Sequence, residues 1–379
     1  MTSTLSSVPF VDLTLIHDPL KPEIQAAIQA VMDQSDFVLG HALTDFEIAF
    51  ANACGVQYGV GVACGTDAIA LGLQACGIQP GDEVLVPANT FIATLIGVLH
   101  AGATPVLVDC DPHTALIDLN QADKAVTKKT KAIIPVHLYG QMVSPHQLFA
   151  FAKAHDLIIF EDAAQAHLAE RESYGAGSIG LAAAFSFYPS KNLGAFGDGG
   201  MVVTQNETVA ANLRSLRNYG APQKYVHSER GTNSRLDTLQ AAILKVKLPH
   251  LEQWNRERNF AAEKYDASVL LMREKGIIPI ENQSADGHVY HLYVIRVTED
   301  CAITRDRLKD QLSEQGIQVG IHYPIPCHLQ PAYQNLGYKE GDFPQAEKLS
   351  QQILSLPMYP GLTTHQINQV VSAIQSTIN

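Results

Sequence analysis

The sequence predicts an α/β protein, with a large, mostly parallel sheet domain followed by a smaller C-terminal α/β domain. Two observations predict it. Short β-branched runs alternate with helical stretches through the first two thirds of the chain, as crossover connections require. Those runs are continuously apolar and do not alternate, which marks strands buried on both faces.

Residues 59–63 read as the first strand and 66–76 as a helix. EVLVP (83–87) is a strand and 90–101 an apolar helix. PVLVD (105–109), AIIPV (132–136) and LIIFED (157–162) are further apolar strands, and 184–187 and 201–204 complete the set. The pattern changes near residue 235. Residues 236–246 form an apolar helix, Pro249 interrupts it, and 250–274 is long and charged, like a connecting helix. An aromatic-rich strand over 288–297 follows, then helix, strand and helix. The expected division is 1–249 and 250–379.

At 379 residues, 46% hydrophobic and 17% charged, the chain has the composition of a packed globular enzyme. A net charge of −12 disfavours a nucleic-acid binder, which needs a basic face. Cysteines at 54, 64, 76, 110, 301 and 327 form no CxxC and no metal framework, so no metal is expected. They read as small hydrophobes in a reducing compartment. MTSTLSSVPFVDL (1–13) lacks the basic and apolar regions of a signal peptide. The apolar stretch 91–108 is broken by His100, Gly102 and Pro105, so no membrane span is expected. A cytoplasmic location follows from these readings.

Three local patterns could carry chemistry. Asp162 ends an apolar strand, at the sheet edge where open α/β proteins bind ligands; it fits a helix N-cap equally well. Lys191 lies in a glycine-rich loop (186–200) leaving another strand. There burial would lower its pKa and free a nucleophilic amine, although a solvated loop lysine fits the same pattern. Gly65, Thr66 and Asp67 open a helix whose free amides suit an anion, with the Asp67 carboxylate turned away. Gly59, Gly61 and Gly65 miss the dinucleotide fingerprint by one position. Together these patterns provide a phosphate seat, an amine able to form a Schiff base, and an acid for a ring nitrogen. Those are a protein's contributions to pyridoxal phosphate chemistry. Phe91, after a strand end, is placed either to stack on the ring or to pack in the core.

The chain resembles the DegT/DnrJ/StrS-type nucleotide-sugar aminotransferases, a branch of the aspartate-aminotransferase-like (fold-type I) pyridoxal phosphate enzymes. The matching segments are GTDAIALGL (65–73), VPANTFIAT (86–94), PVHLYGQ (135–141), EDAAQAH (161–167), FSFYPSKNLGAFGDGG (185–200), GTNSRLDTLQAAIL (231–244) and GIHYPIPCHLQPAY (320–333). The resemblance implies that Lys191 is the Schiff-base lysine and proton shuttle. Asp162 pairs with the pyridine nitrogen, and Gln165 lies near the ring hydroxyl. Gly65, Thr66, Ser186 and the Asp67 amide contact the phosphate, and Phe91 stacks on the ring. Asn233 reaches the cofactor of a neighbouring subunit, which implies a homodimer with shared active sites. Leu168 stands where the family commonly has glycine, which reads as a local packing difference. Relatives that dehydrate sugars carry histidine at the Lys191 position, so the lysine implies amino transfer.

The 320–330 segment is similar to that of members acting on 3-keto sugars. The implied reaction moves an amino group, most often from glutamate, to C3 of a dTDP-3-keto-6-deoxyhexose, giving a dTDP-3-amino-3,6-dideoxyhexose. His322, Tyr323 and His328 are candidates for the sugar pocket, though a structural hydrogen bond also suits a histidine. Tyr188 and Tyr219 could line it. Lys224 and Arg235 are candidate cations for the diphosphate. Alternatives are a 4-keto sugar, a UDP-linked 3-keto uronic acid sugar, a non-catalytic sensor that keeps the fold, and an NAD-dependent oxidoreductase, which fails on the glycine spacing. Lipopolysaccharide O-antigen, S-layer glycan and antibiotic sugars all remain open as destinations.

Overall fold

The computed structural model describes residues 7–378. The N-terminal reading over 1–13 rests partly on residues 1–6, which lie outside the described residues. In chain order the strands are β1 (Tyr58–Val62), β2 (Glu83–Pro87), β3 (Thr104–Val108), β4 (Thr130–Ile133) and β5 (Ile158–Asp162). A two-residue ribbon, β6 (Glu170–Arg171) and β7 (Tyr174–Gly175), precedes β8 (Ala182–Ser186) and β9 (Gly200–Thr204). Seven of them form one sheet in the order β1-β9-β8-β5-β4-β2-β3. The pairs β2–β3, β2–β4, β4–β5 and β5–β8 are parallel. Only β9 runs against its neighbours β8 and β1. Helices cover both faces, so Val60, Val62, Leu85, Phe160 and Phe185 are fully buried. Pro105 sits in β3, at the sheet edge, where its missing N–H costs no ladder bond.

Gly59 and Gly61, the near-miss to a dinucleotide turn, serve packing instead. A Cβ on Gly59 would lie 2.6 Å from the Glu47 carbonyl oxygen, and one on Gly61 2.9 Å from Leu43 and Leu236. Their bare backbone lets the helix His41–Ala53 lie close on β1. The same contact holds a buried ion pair. The Arg217 guanidinium bonds the Glu47 carboxylate and the Gly61 carbonyl, and the Gly61 N–H donates to Glu47 at 2.7 Å.

The strand expected over 132–136 is shifted to Thr130–Ile133. Pro135 has no N–H to donate, and Val136 makes only an isolated bridge to Asp162. The strand expected over 288–297 begins only at Tyr293, because Tyr290 turns the chain at φ 38°. The charged connecting helix runs Leu251–Val269 and tightens into a 3₁₀ turn over Leu270–Lys275.

Beyond that helix a second sheet forms from β10 (Ile277–Pro279), β11 (Tyr293–Val297) and β12 (Ile353–Leu356), antiparallel throughout. Its own core gathers Tyr265, Ile295, Leu308, Leu354 and Ile374, together with Val8 from the start of the chain. Among the described residues no helix is long and apolar enough to cross a membrane. No group of three or more His, Cys, Asp or Glu side chains among them could hold a metal ion.

Candidate active site

The carboxyl ends of β1, β2, β5 and β8 lie at one edge of the sheet, and the loops leaving them enclose a cavity of about 450 Å³. Gly65, Thr66, Phe91, Asp162, Gln165, Ser186, Tyr188, Lys191, His322 and Tyr323 all line it. The sheet topology thus joins residues scattered over 250 positions of chain, as the switch-point rule for open α/β sheets requires.

Asp162 ends β5 and is buried. Its carboxylate accepts a 2.7 Å hydrogen bond from the Thr94 hydroxyl and a 3.1 Å bond from the Ala164 N–H. Burial raises its pKa; the Thr94 and Ala164 bonds and the Lys191 charge oppose the rise. No cationic side chain among the described residues hydrogen-bonds it. Lys191 follows β8 in a tight turn, its N–H donating to the Tyr188 carbonyl at 2.8 Å. Burial lowers the Lys191 amine to about 8, with Asp162 pulling the other way. The free amine therefore forms from about pH 8 upward, well below the range of an ordinary lysine, opposite an acid that no cationic side chain among the described residues hydrogen-bonds.

The helix Gly65–Ala75 starts against the end of β8, so close that a Cβ on Gly65 would sit 2.7 Å from the Ser186 Cβ. That brings the Thr66 and Ser186 hydroxyls and the first helix amides to one edge of the cavity. The Asp67 carboxylate turns away and accepts from the Ser234 hydroxyl at 2.6 Å, while its N–H leans on the Cys64 sulfur at 3.5 Å. Phe91 is half exposed and its ring lies 5.1 Å from that of Tyr323. Gln165 accepts the Tyr139 N–H at 2.6 Å and donates to the Tyr323 hydroxyl at 3.0 Å. An anion seat, an aromatic face, a buried acid lacking a cation and a low-pKa amine fit pyridoxal phosphate.

Two histidines complete the wall. His322 shares a 2.8 Å hydrogen bond with the Ser355 hydroxyl and stacks on Phe10, and burial lowers its pKa to about 4. His291, which the sequence reading missed, contacts the Asn192 side-chain oxygen through Nδ1 at 3.2 Å. Thr94 was also missed. Its signal was a hydroxyl in the first turn of an otherwise apolar helix, Ile92–His100.

The structure places the other expected residues elsewhere. His328 is buried against Phe343 with Nε2 2.9 Å from the Glu347 carboxylate, outside the cavity. It serves a hydrogen bond within the fold and does not line the cavity. Tyr219, Lys224, Asn233 and Arg235 belong to a projecting segment in which residues 222–233 are all exposed. There Arg235 bonds Asn218 at 3.1 Å and stacks over Tyr219, and Lys224 lies over Tyr225. None of the four lines this chain's own cavity. Leu168 packs against the large core, and its φ of 61° lies in the left-handed region that glycine enters freely.

Fold and site together define a pyridoxal phosphate-dependent enzyme of the aminotransferase type. The chain belongs to the DegT/DnrJ/EryC1/StrS aminotransferase family, whose model matches residues 19–375. It is 46% identical to the pleiotropic regulatory protein of Geobacillus stearothermophilus, over 97% of this chain and 98% of that one. It is 44% identical to the dTDP-3-amino-3,4,6-trideoxy-alpha-D-glucose transaminase of Streptomyces venezuelae, over 97% and 95%. It is 42% identical to the dTDP-3-amino-3,6-dideoxy-alpha-D-galactopyranose transaminase of Aneurinibacillus thermoaerophilus, over 97% and 98%. The crystal structure of S. venezuelae DesV superposes with a TM-score of 0.93 at 43% identity, covering 98% of both chains. The Bacillus subtilis ntda structure, solved with bound cofactor pmp, gives 0.89 at 33% identity, covering 100% of this chain and 86% of that one.

Proposed function

We propose that this aminotransferase moves an amino group from L-glutamate to C3 of a dTDP-3-keto-6-deoxyhexose, releasing a dTDP-3-amino-3,6-dideoxyhexose. The observation that carries the reading is that one cavity brings the Lys191 amine, its pKa lowered, together with the buried Asp162 carboxylate. The names of two relatives at 44% and 42% identity support C3 and a dTDP sugar.

Pyridoxal phosphate bound there supplies an electron sink and a carrier for the amino group. Asp162 holds a proton on the ring nitrogen, which an adjacent carboxylate favours. Thr94 keeps that carboxylate oriented and ionised. Gln165 donates toward the ring hydroxyl, and Phe91 covers one ring face. Gly65, Thr66, the Asp67 amide and Ser186 hold the phosphate. With the cofactor bound, Lys191 as the free amine would take a proton from the carbon on one side of the transferred nitrogen and return it to the carbon on the other side, a 1,3 shift. His322, Tyr323 and Tyr188 receive the sugar.

We infer also that the enzyme works as a cytoplasmic homodimer. The exposed 222–233 segment supports this, since Lys224 and Asn233 within it, and Tyr219 and Arg235 beside it, do not line their own chain's active-site cavity. Asn233 of a second copy would complete the phosphate seat, and Lys224 and Arg235 the diphosphate site. The division into 1–249 and 250–379 is proposed on the same footing, with the separate core around Ile295 in its support. O-antigen synthesis is one destination for the product.

The test is product analysis. Enzyme, glutamate and a dTDP-3-keto-6-deoxyhexose should yield a sugar whose nitrogen is on C3 by NMR. Nitrogen on C4, or turnover only with a UDP-linked keto sugar, would overturn the substrate assignment. The relative named as a regulatory protein favours a second reading, a regulator that keeps the fold; absence of any amino transfer would promote it.

A further inference from the structure

The turn Leu138–Gly140 touches three stretches that wall the cavity. The Tyr139 N–H donates to Gln165 Oε1 at 2.6 Å, and its hydroxyl donates to the His322 carbonyl at 2.6 Å. The Tyr139 carbonyl accepts the Leu292 N–H at 3.3 Å, and the Gly140 carbonyl accepts the Val289 N–H at 2.9 Å. Tyr139 is buried and sits at φ 62°, ψ 0°, a conformation residues with a Cβ avoid. The surrounding bonds therefore hold it against its local preference.

This anchoring fixes where protons point. Gln165 Oε1 is occupied by a main-chain N–H, so its Nε2 must be the atom donating to the Tyr323 hydroxyl at 3.0 Å. A phenol oxygen that accepts there keeps its own proton for a third partner. The Gln165 amide likewise keeps one N–H free. Burial pushes the Tyr323 phenol pKa upward, so the group stays a donor. Both side chains line the cavity beside Asp162 and Lys191, whereas Tyr139 does not.

We propose that Tyr139 is a positioning residue for amino transfer: its N–H and hydroxyl aim the free protons of Gln165 and Tyr323 into the cavity. The inference rests on the transaminase reading above. Its two contacts divide the work. The N–H orients Gln165, beside the cofactor ring, and survives any side-chain change that leaves the turn intact. The hydroxyl holds the 322–323 segment, on the sugar side.

Tyr139→Phe removes only the hydroxyl and separates these roles. In single-turnover measurements the half-reaction with glutamate should stay within about twofold of wild type. The half-reaction with the keto sugar should slow about tenfold, the size of effect expected for one buried hydrogen bond. In the protein before cofactor is added, hydrogen exchange should speed up at Gly320 and Ser355, whose amides bond each other's carbonyls at 3.0 and 2.8 Å. The amides of β9 should be unchanged. Equal slowing of both halves, or faster exchange everywhere, would reduce Tyr139 to a structural residue and overturn the proposal. If wild type runs neither half, the transaminase reading falls, while the exchange pattern still judges the hold of Tyr139 on this segment. Should Tyr139→Phe not fold, NMR of the wild-type protein before cofactor is added replaces it: a slowly exchanging Tyr139 hydroxyl proton bonded to the His322 carbonyl supports the proposal, and a hydroxyl proton exchanging freely with solvent overturns it.

Discussion

The Thr94 hydroxyl donates a 2.7 Å hydrogen bond to the Asp162 carboxylate, joining residues 68 positions apart. Asp162 is buried, and burial alone favours its neutral form. The hydroxyl counteracts that preference, so the acid that should face the ring nitrogen depends on a helix from another strand's loop. Thr94→Val keeps the shape and removes the donor. The Asp162 pKa then rises further, and the ionised form is lost first at the acid end. Cofactor affinity should fall about tenfold at pH 6 and less at pH 8, read by absorbance titration. Equal loss at both pH values would contradict the role given to Thr94.

Lys191 titrates near 8, lowered from 10.5 by burial. Between those values the unfolded chain binds the proton more readily than the native one. The stability contribution of this group therefore rises with pH from about 8 to 10.5, and the penalty for a buried charge is fully present below 8. The rate at which cofactor-free protein captures pyridoxal phosphate should rise with a midpoint near pH 8. A midpoint near 10.5 would mean an exposed, unperturbed lysine.

Glu161, next to Asp162, is fully buried. Its carboxylate accepts the N–H groups of Gly177, Ile179 and Gly180 at 2.8–2.9 Å and meets His137 Nε2 at 3.0 Å. Since His137 Nδ1 accepts the Val143 N–H at 3.2 Å, Nε2 carries the proton and donates. Glu161→Gln turns one acceptor into a donor facing these N–H groups. It should cost about 3 kcal/mol of folding stability, measured by urea denaturation. A loss under about 1 kcal/mol would show that the network relaxes around the amide.

A shared site predicts complementation. Lys191→Ala and Asn233→Ala homodimers should each be inactive or nearly so. Mixing them under proven subunit exchange should restore up to about a quarter of wild-type activity, because about half of the dimers are mixed and each of those has one intact site of two. No recovery would place Asn233 outside the partner's site.

The apolar strands and their helices were legible because a buried parallel strand imprints itself on sequence as a continuous hydrophobic run. The ends of β4 and β11 were not. Pro135 and the positive φ of Tyr290 stop ladder pairing where hydrophobicity continues. Lys191, Asp162 and Gln165 were legible through their motifs, and the structure brings them to one cavity. Thr94, Tyr139 and His291 were not, because their importance lies in contacts with residues tens to hundreds of positions away. His328 misled because a histidine buried against Glu347 looks, in sequence, like any histidine in a functional loop.

The most direct test of amino transfer through Lys191 is the visible spectrum of the purified protein with pyridoxal phosphate, before and after glutamate. A yellow band should bleach with glutamate and return when a dTDP-3-keto-6-deoxyhexose is added, with no such cycle in Lys191→Ala. A band that glutamate leaves unchanged, or a Lys191→Ala protein that cycles like wild type, would rule out amino transfer through Lys191.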